Sequence, residues 1–377
     1  MDIIQPDVLW VNGICFRQNT INTESVESSH VLTSETGPHH SVDNDEYFTD
    51  GECTVSCEND QEFNEWGEYV TLSRTQGGVW EAQLDIAVEY FKYLIGKQGQ
   101  AKMALEQETK TYITVPKIGV SGPVIVRSKD EAAVHLCCRR ILSRIALFRS
   151  QQPFTHFLSI PVNCAEIQER FGLFRSTILQ DLGRCRNVSA SLFQNPAKLH
   201  LTLATLVLYS EAERKRAEKI LTECISEISR KYVNDSGEIS VEVFDLEIMN
   251  DDPSEVDVVY AKVWDHNDAG SEKLKTMCSE IVDYLCRRGV LDKQGNFGDH
   301  LKLHVTLMNS KFLQYDRSAE SENSRHQTFD ASAIFENLKN FKFGVQLIGG
   351  VHISQRYGSP SSDGYYGSSA IVPFHKP

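Results

Sequence analysis

The sequence predicts an α+β protein with two folded domains behind an acidic N-terminal region. Strand-like and helix-like stretches alternate from Trp80 onwards, a seven-residue strand-like frame occurs twice, and acidic residues are concentrated before position 79. A chain of 377 residues is long enough for two or three domains. No apolar run approaches the length of about 18 residues that a membrane span needs, so we expect no membrane segment. Residues 1–11 lack the pattern of a secretory signal, so we do not expect export.

Residues 1–78 form the acidic region, with 15 acidic and 2 basic side chains. The formal net charge of −14 is located largely here. From Asn19 to Glu68 there are few large apolar residues, and we expect this segment to be mostly disordered. The apolar stretch Val8–Val11 is compatible with a strand or a short docking motif. Ten cysteines without a framework spacing predict reduced thiols, and Cys53 and Cys57 lack the second ligand pair of a zinc site.

Residues 79–152 form the first predicted domain, which carries a net charge of +4. Its predicted order is strand, helix, helix, strand, strand, helix, at Gln83–Val88, Glu89–Ile95, Gln100–Thr109, Thr111–Val115, Pro123–Arg127 and Lys129–Arg149. The sequence Gly96-Lys97-Gln98-Gly99 lies between the first two helices. Glycines there would let a nucleic-acid backbone approach the amides and Lys97. Gly-x-x-Gly occurs three more times in the chain, so the motif alone is not specific. Its location between two predicted helices is what indicates a nucleic-acid-binding loop.

Residues 153–377 form the second predicted domain, which Pro153 separates from the first. Its strands are predicted at Thr155–Pro161, Leu199–Leu206, Ser240–Glu247, Val256–Val263, Leu301–Met308 and Lys342–Ile348. Its helices are predicted at Ala165–Gln180, Glu211–Tyr232, Glu272–Arg287 and Ala331–Asn340.

The repeated frame is the most informative feature of the chain. Residues 197–203 read Ala-Lys-Leu-His-Leu-Thr-Leu and residues 301–307 read Leu-Lys-Leu-His-Val-Thr-Leu, with five of seven positions identical. Because side chains alternate along a strand, each copy places Lys, His and Thr on one face and the leucines on the other. The polar faces of two neighbouring strands would form a groove lined by Lys198, His200, Thr202, Lys302, His304 and Thr306.

Two imidazoles and two hydroxyls suit attack on a phosphodiester. One neutral imidazole can take a proton from the nucleophile, the other can protonate the leaving oxygen, and the hydroxyls can bind the non-bridging oxygens. This chemistry needs no metal or other cofactor, and a zinc site built on His200 and His304 would lack a third ligand. The alternative is that both histidines are structural residues of a duplicated strand. A looser match at His352-Ile353-Ser354 is interpreted as a strand end, and Tyr357, Tyr365 and Tyr366 as ordinary loop residues.

The doubled His-x-Thr frame in an α+β domain resembles the two-histidine (2H) phosphoesterases, which include RNA cyclic phosphodiesterases. The resemblance implies a bilobal, duplicated domain over about residues 154–377. It implies that His200 and His304 are the catalytic acid and base and that Thr202 and Thr306 anchor phosphate. From their place on the same predicted polar face, we expect Lys198 and Lys302 to bind substrate. It leaves open which histidine is the acid.

Residues 79–150, with the glycine loop between two helices, resemble a type I KH domain (β-α-α-β-β-α). The resemblance implies single-stranded RNA or another nucleic acid as partner, bound by Gly96, Lys97, Gln98, Gly99 and Lys102. Gln98 occupies the position at which many KH loops have a second basic residue, so we expect this loop to bind phosphate more weakly than those loops do. A KH-like platform for protein binding is the alternative.

The two domains in this order, behind an acidic region, resemble a family of subunits of a nuclear complex tied to transcription coactivation and alkylation-damage repair. This resemblance implies an RNA phosphodiesterase in the nucleus, with a cytoplasmic pool also allowed, and a helicase subunit as partner. The alternative is an adaptor that binds RNA or nucleotide without turnover.

Overall fold

The computed structural model describes residues 8–11, 14–17, 70–75, 77–117, 120, 122–182, 185–232, 239–266, 272–291, 301–314 and 327–374. The segment predicted to be disordered, Asn19–Glu68, and the Cys53/Cys57 pair lie outside the described residues. Near the N-terminus, β1 (Val8–Val11) and β2 (Ile14–Arg17) form an antiparallel hairpin in which Leu9 lies opposite Phe16. Of the two interpretations of Val8–Val11, the structure therefore has the strand. In the described part of the chain, no helix combines the length and apolarity needed to cross a membrane.

Residues 70–150 form a four-stranded unit. Its elements are β3 (Val70–Arg74), β4 (Trp80–Leu84), α1 (Phe91–Ile95), α2 (Gln100–Thr109), β5 (Tyr112–Thr114), β6 (Val124–Ser128) and α3 (Glu131–Ser150). The strands pair in the order β3-β4-β6-β5, all antiparallel. Apolar residues from the sheet and all three helices form one core, including Leu84, Leu94, Leu105, Val126 and Ile141. The predicted β-α-α-β-β-α order is confirmed from β4 onwards.

Three details of the four-stranded unit differ from prediction. Val70–Arg74, assigned to the acidic, largely disordered N-terminal region of residues 1–78, is an edge strand of the sheet, so the sheet begins before residue 79. Most side chains of this strand are exposed, so it has no apolar pattern that the sequence analysis could detect. Its position at the sheet edge depends on backbone hydrogen bonds to β4. The strand predicted at Gln83–Val88 instead spans Trp80–Leu84. Helix α3 begins at Glu131 rather than Lys129, because the Asp130 carboxylate accepts a hydrogen bond from the Ala132 amide (3.0 Å) as an N-cap.

Residues 154–374 form an eight-stranded unit. Its elements are β7 (His156–Pro161), α4 (Ala165–Thr177), β8 (His200–Leu206), α5 (Glu211–Tyr232), β9 (Ile239–Ile248), β10 (Val258–Asp265), α6 (Lys273–Arg287), β11 (His304–Asn309), α7 (Ser332–Leu338), β12 (Lys342–Ile348), β13 (Gly350–Gln355) and β14 (Ser368–Pro373). The strand order is β12-β9-β10-β11-β8-β7-β13-β14. Two four-stranded halves therefore meet where β8 and β11 are neighbours, which agrees with the predicted bilobal duplication.

The apolar face of this sheet is covered by helices. Leu201, Leu203, Val305 and Leu307, from the two copies of the frame, are fully buried in a core shared with α4, α5 and α6. Helices α5 and α6 also pack against each other. The alternating pattern of each frame therefore directs its leucines into the core and its polar residues to the opposite face. Strands β13 and β14 were not predicted.

A buried ion pair joins the two units. Arg149, at the end of α3, donates to Glu213 Oε1 (2.7 Å) and to the Tyr90 hydroxyl (3.1 Å). Glu213 lies in the first turn of α5, where its Oε2 accepts from the amides of Tyr209 (2.8 Å) and Ser210 (3.1 Å), and its own amide donates to Ser210 Oγ (3.1 Å). One carboxylate thus caps α5 and holds the four-stranded unit against the eight-stranded unit.

Candidate functional site

The two copies of the repeated frame lie on adjacent antiparallel strands. Leu201 of β8 is paired with Val305 of β11. This register places His200 opposite Thr306 and Thr202 opposite His304, on the face that points away from the core. The two histidines are then diagonal neighbours, a relation in which residues lie about 7–8 Å apart. One phosphate group between them can contact both imidazoles.

Both imidazoles are held by the same local contact. His200 Nδ1 lies 2.7 Å from the Lys198 carbonyl oxygen, and His304 Nδ1 lies 2.7 Å from the Lys302 carbonyl oxygen. A carbonyl oxygen only accepts hydrogen bonds, so each Nδ1 carries the proton. In the neutral ring, each Nε2 therefore keeps its lone pair. The duplicated sequence produces a duplicated orientation.

Burial shifts the protonation of both histidines. Desolvation lowers the pKa of His200 to about 4, although the hydrogen bond to the Lys198 carbonyl raises it, and the nearby His304 lowers it further. Desolvation also lowers the pKa of His304. The hydrogen bond to the Lys302 carbonyl raises this pKa, and the positive charge of the Lys302 side chain lowers it. At neutral pH the unliganded His200 is therefore a neutral base.

The two lysines of the frame do not lie on the strands, contrary to the sequence prediction. Lys198 ends a short 3₁₀ turn (Pro196–Lys198) and Lys302 precedes β11, because both strands begin at the histidine. Their ammonium groups nevertheless stay near the site. The Lys198 Nζ lies 4.8 Å from the centre of the Tyr366 ring, and the Lys302 Nζ lies 4.8 Å from that of Tyr260.

Aromatic rings that sequence reasoning missed surround the histidines. The His200 ring lies 5.2 Å from Phe157 and 5.4 Å from Tyr366, and the His304 ring lies 5.2 Å from Tyr260, between ring centres. The interpretation of Tyr365 and Tyr366 as ordinary loop residues is wrong. Tyr365 is buried, and its hydroxyl donates to Ser159 Oγ (2.8 Å). No local pattern indicated this, because the loop reaches the site only through the pairing of β13 with β7 and β14.

Two other sequence interpretations had different outcomes. His352 is not at a strand end: it lies inside β13, opposite Ser159 of β7 and Ile371 of β14. Its ring packs edge-on against Tyr365, with 5.7 Å between ring centres. Tyr357 is 73% exposed, as expected for a surface loop.

The glycine loop of the four-stranded unit is a short turn between α1 and α2. Gly96 (φ +68°), Gln98 (φ +53°) and Gly99 (φ +82°) all have left-handed backbone angles. A Cβ on Gly96 would lie 2.6 Å from Ala101 Cβ, so this close approach requires glycine. Lys97 and Gln98 are exposed. Lys102 is less available: it forms an ion pair with Glu106 (3.2 Å) and lies over the Tyr112 ring.

Within the described residues, no three His, Cys, Asp or Glu side chains are grouped as metal ligands would be. The cysteines of the four-stranded and eight-stranded units that the structure describes are free: Cys137, Cys138, Cys164, Cys185, Cys224, Cys278 and Cys286.

Comparison with known proteins relates both units to families. The model of the AKAP7 2′5′ RNA ligase-like domain matches residues 154–374, and that of the KH domain matches residues 81–143. Activating signal cointegrator 1 complex subunit 1 of Mus musculus is 32% identical over 393 aligned residues, which cover 99% of this chain and 100% of the mouse protein. The chain belongs to the same family. The KH domain and the two-histidine phosphoesterase-like fold inferred from sequence are thereby confirmed.

Two solved structures also share a likeness with part of this chain. A crystal structure titled as a phosphoesterase has 15% identity and a TM-score of 0.31, and covers 59% of this chain and 95% of its own. E. coli LigT complexed with 3′-AMP has 16% identity and a TM-score of 0.30, and covers 56% of this chain and 92% of its own.

Proposed function

We propose that this protein is an RNA-binding phosphodiesterase in which His200 and His304 act as the general acid–base pair on one phosphate ester. The observation that carries the proposal is the pairing of two His-x-Thr frames on adjacent strands, with both imidazoles anchored through Nδ1. Two Nε2 atoms near one phosphate can exchange protons on opposite sides of the phosphorus.

The proposed reaction follows from which side chains of the site can accept a proton and which can donate one. The neutral imidazole takes a proton from water or a ribose hydroxyl as its oxygen forms a bond to phosphorus. The protonated imidazole gives a proton to the leaving oxygen as its bond to phosphorus breaks. The hydroxyls of Thr202 and Thr306 donate to the non-bridging oxygens, where negative charge develops. Either histidine can be the acid, depending on the direction in which the substrate lies.

Because the pKa values of His200 and His304 are lowered in the free protein, we predict that the protein takes up a proton when an anion binds in the groove. An anion in the groove stabilises imidazolium, so the bound pKa is higher than the free value, which for His200 is about 4. The affinity for sulfate, whose own charge is constant in this range, should therefore rise as the pH falls from about 8 to about 5, by up to tenfold per unit. Calorimetry in buffers of different ionisation enthalpy measures the uptake. In a double His200→Ala, His304→Ala variant the uptake should vanish, and pH-independent affinity in the wild type would contradict the mechanism.

The KH domain would hold single-stranded RNA through Gly96–Gly99. If Lys97 contacts a phosphate, Lys97→Ala should weaken binding and reduce the slope of log K against log salt by about 0.7. Gln98→Lys should strengthen binding and increase that slope by a similar amount. Filter binding or fluorescence anisotropy at several salt concentrations measures both, with Lys129→Ala, an exposed lysine before α3, as control. Equal effects of Lys97→Ala and Lys129→Ala would argue against the loop as the contact.

An adaptor function is the second candidate. It is favoured by the free site itself, because desolvation lowers the pKa of both histidines and disfavours the proton that a general acid needs. Measurable turnover of a cyclic phosphate, 2′,5′-linked or 3′-end substrate decides between the two functions.

The mouse relative is named as a subunit of the activating signal cointegrator 1 complex. On the strength of that name we propose that this chain belongs to a corresponding nuclear complex, with the helicase subunit of the activating signal cointegrator complex as a partner and a role in transcription coactivation and repair of alkylated DNA. Co-purification of the tagged chain from nuclear extract, with the helicase identified by mass spectrometry, tests this assignment.

A further inference from the structure

The two halves of the groove differ in charge, although their sequences are duplicated. On the His304 side, Lys302 lies 3.6 Å from a carboxylate oxygen of Glu247. On the His200 side, Lys198 lies over the Tyr366 ring and pairs with no carboxylate among the described residues. A carboxylate therefore balances one of the two lysines of the repeated frame.

Glu247 makes three polar contacts through its two oxygens. Its Oε2 accepts a hydrogen bond from the Tyr260 hydroxyl (2.5 Å) and lies near the Lys302 ammonium, while its Oε1 lies 3.1 Å from the Lys262 ammonium. The strands explain this arrangement, because Tyr260 of β10 is directly opposite Glu247 of β9. Asp245, on the same strand, also lies 3.8 Å from Lys262.

Each group that Glu247 contacts also faces His304. Lys262 is the cross-strand neighbour of His304. The Tyr260 ring packs against the imidazole at 5.2 Å between ring centres. The Lys302 carbonyl oxygen accepts a hydrogen bond from His304 Nδ1, and the charge of the Lys302 ammonium lowers the pKa of the imidazole. Glu247 is thus linked to His304 through three intervening residues, Lys262, Tyr260 and Lys302.

We propose that Glu247 is a positioning residue that sets the charge environment of His304 through the two lysines it holds. The proposal rests on the proposed function, since it assigns a role in the same reaction. With Glu247 ionised, its charge offsets part of the charge of the two ammonium groups beside His304, and a proton on the imidazole is better tolerated. Without that charge, two cations would oppose the proton that His304 must carry at one stage of the reaction.

Glu247 has the protonation state that this role needs. Burial raises its pKa, but the hydrogen bond from Tyr260 and the charges of Lys262 and Lys302 outweigh burial and lower it, so the carboxylate is ionised at neutral pH. The charged or titratable groups that lie next to His304 are Lys302, Lys262, Tyr260 and His200, and Glu247 and Asp245 of β9 contact Lys262 from the next strand of the sheet.

The test is Glu247→Gln in the full chain, because glutamine can still accept from Tyr260 but carries no charge. The His304 imidazole is titrated by NMR, with its signal assigned by its absence in His304→Ala. We expect the His304 midpoint to fall by about 0.5–1 pH unit, the size of shift produced by one unit charge several ångströms away in a polar environment. Glu242→Gln is the matched control: it is on the same strand and pairs with Lys342 and His266 instead, so the midpoint should not move.

The pH–rate profile provides a second readout. One limb of the profile should move to lower pH in Glu247→Gln while the other stays, and the limb that moves shows whether His304 is the acid or the base. Identical His304 midpoints in wild type and Glu247→Gln would overturn the inference even if the enzyme is active. A shifted midpoint in a protein without turnover would support the inference and count against the proposed function.

Discussion

Replacing His200 or His304 with alanine should lower the turnover of a short RNA or cyclic phosphate by about 10²–10⁴-fold, the usual contribution of one general acid or base. Each variant removes one of the two Nε2 atoms that would exchange protons with the ester. The measurement is product formation under saturating substrate with EDTA present, so that adventitious metal does not contribute. The double variant should be little slower than either single variant, because the two imidazoles act as a unit.

His266→Ala is the matched control for these substitutions. This histidine follows β10 and pairs with Glu242 (3.6 Å), away from the repeated frame. Its loss should leave turnover unchanged. Turnover that persists in His200→Ala or His304→Ala, or that disappears from the wild type when EDTA is added, would refute the two-histidine mechanism.

Glu213→Ala should be the most destabilising single substitution considered, with a loss of about 3–5 kcal/mol in the free energy of unfolding. The Glu213 side chain is only 5% exposed and its partner Arg149 only 15%, so the substitution removes one of the two charges of a buried ion pair. It also removes the carboxylate that caps α5 at Tyr209 and Ser210. Equilibrium unfolding in denaturant measures the loss.

Glu211→Ala, two residues earlier on α5, provides the comparison. Its carboxylate is 71% exposed and pairs only with Lys215, so stability should be nearly unchanged. A double-mutant cycle with Arg149→Ala isolates the coupling of the buried pair. Equal stability of Glu213→Ala and Glu211→Ala would mean that this ion pair does not hold the two units together.

Local patterns predicted several elements closely. Helix α5 has the predicted bounds Glu211–Tyr232, and so do α2 at Gln100–Thr109 and β12 at Lys342–Ile348. Helix α5 has a clear apolar period, which buries Ala217, Ile220, Leu221, Cys224, Ile225 and Ile228. Strands β13 and β14 were missed because a loop rich in Gly, Ser and Tyr separates them, and their pairing connects residues distant in sequence.

In the candidate site too, the residues that local patterns indicate were predicted, and those that depend on strand order were missed. His200, Thr202, His304 and Thr306 were predicted to share a polar face because alternation along a strand is a local property. Tyr366, Phe157 and Glu247 were missed because each lies near a histidine only through the order of strands in the sheet. Lys102 was predicted as a free nucleic-acid contact, whereas its neighbour one turn later on α2, Glu106, pairs with it.

The sequence by itself determined that two identical reactive frames exist, and which face of each strand carries the imidazole and the hydroxyl. Only the tertiary structure decided that Leu201 and Val305 pair, so that both imidazoles face one groove, and that a carboxylate from β9 balances the His304 side alone. The physical reason is the range of the interactions. Side-chain alternation depends on adjacent peptide units, whereas strand order and charge balance depend on contacts between segments tens of residues apart.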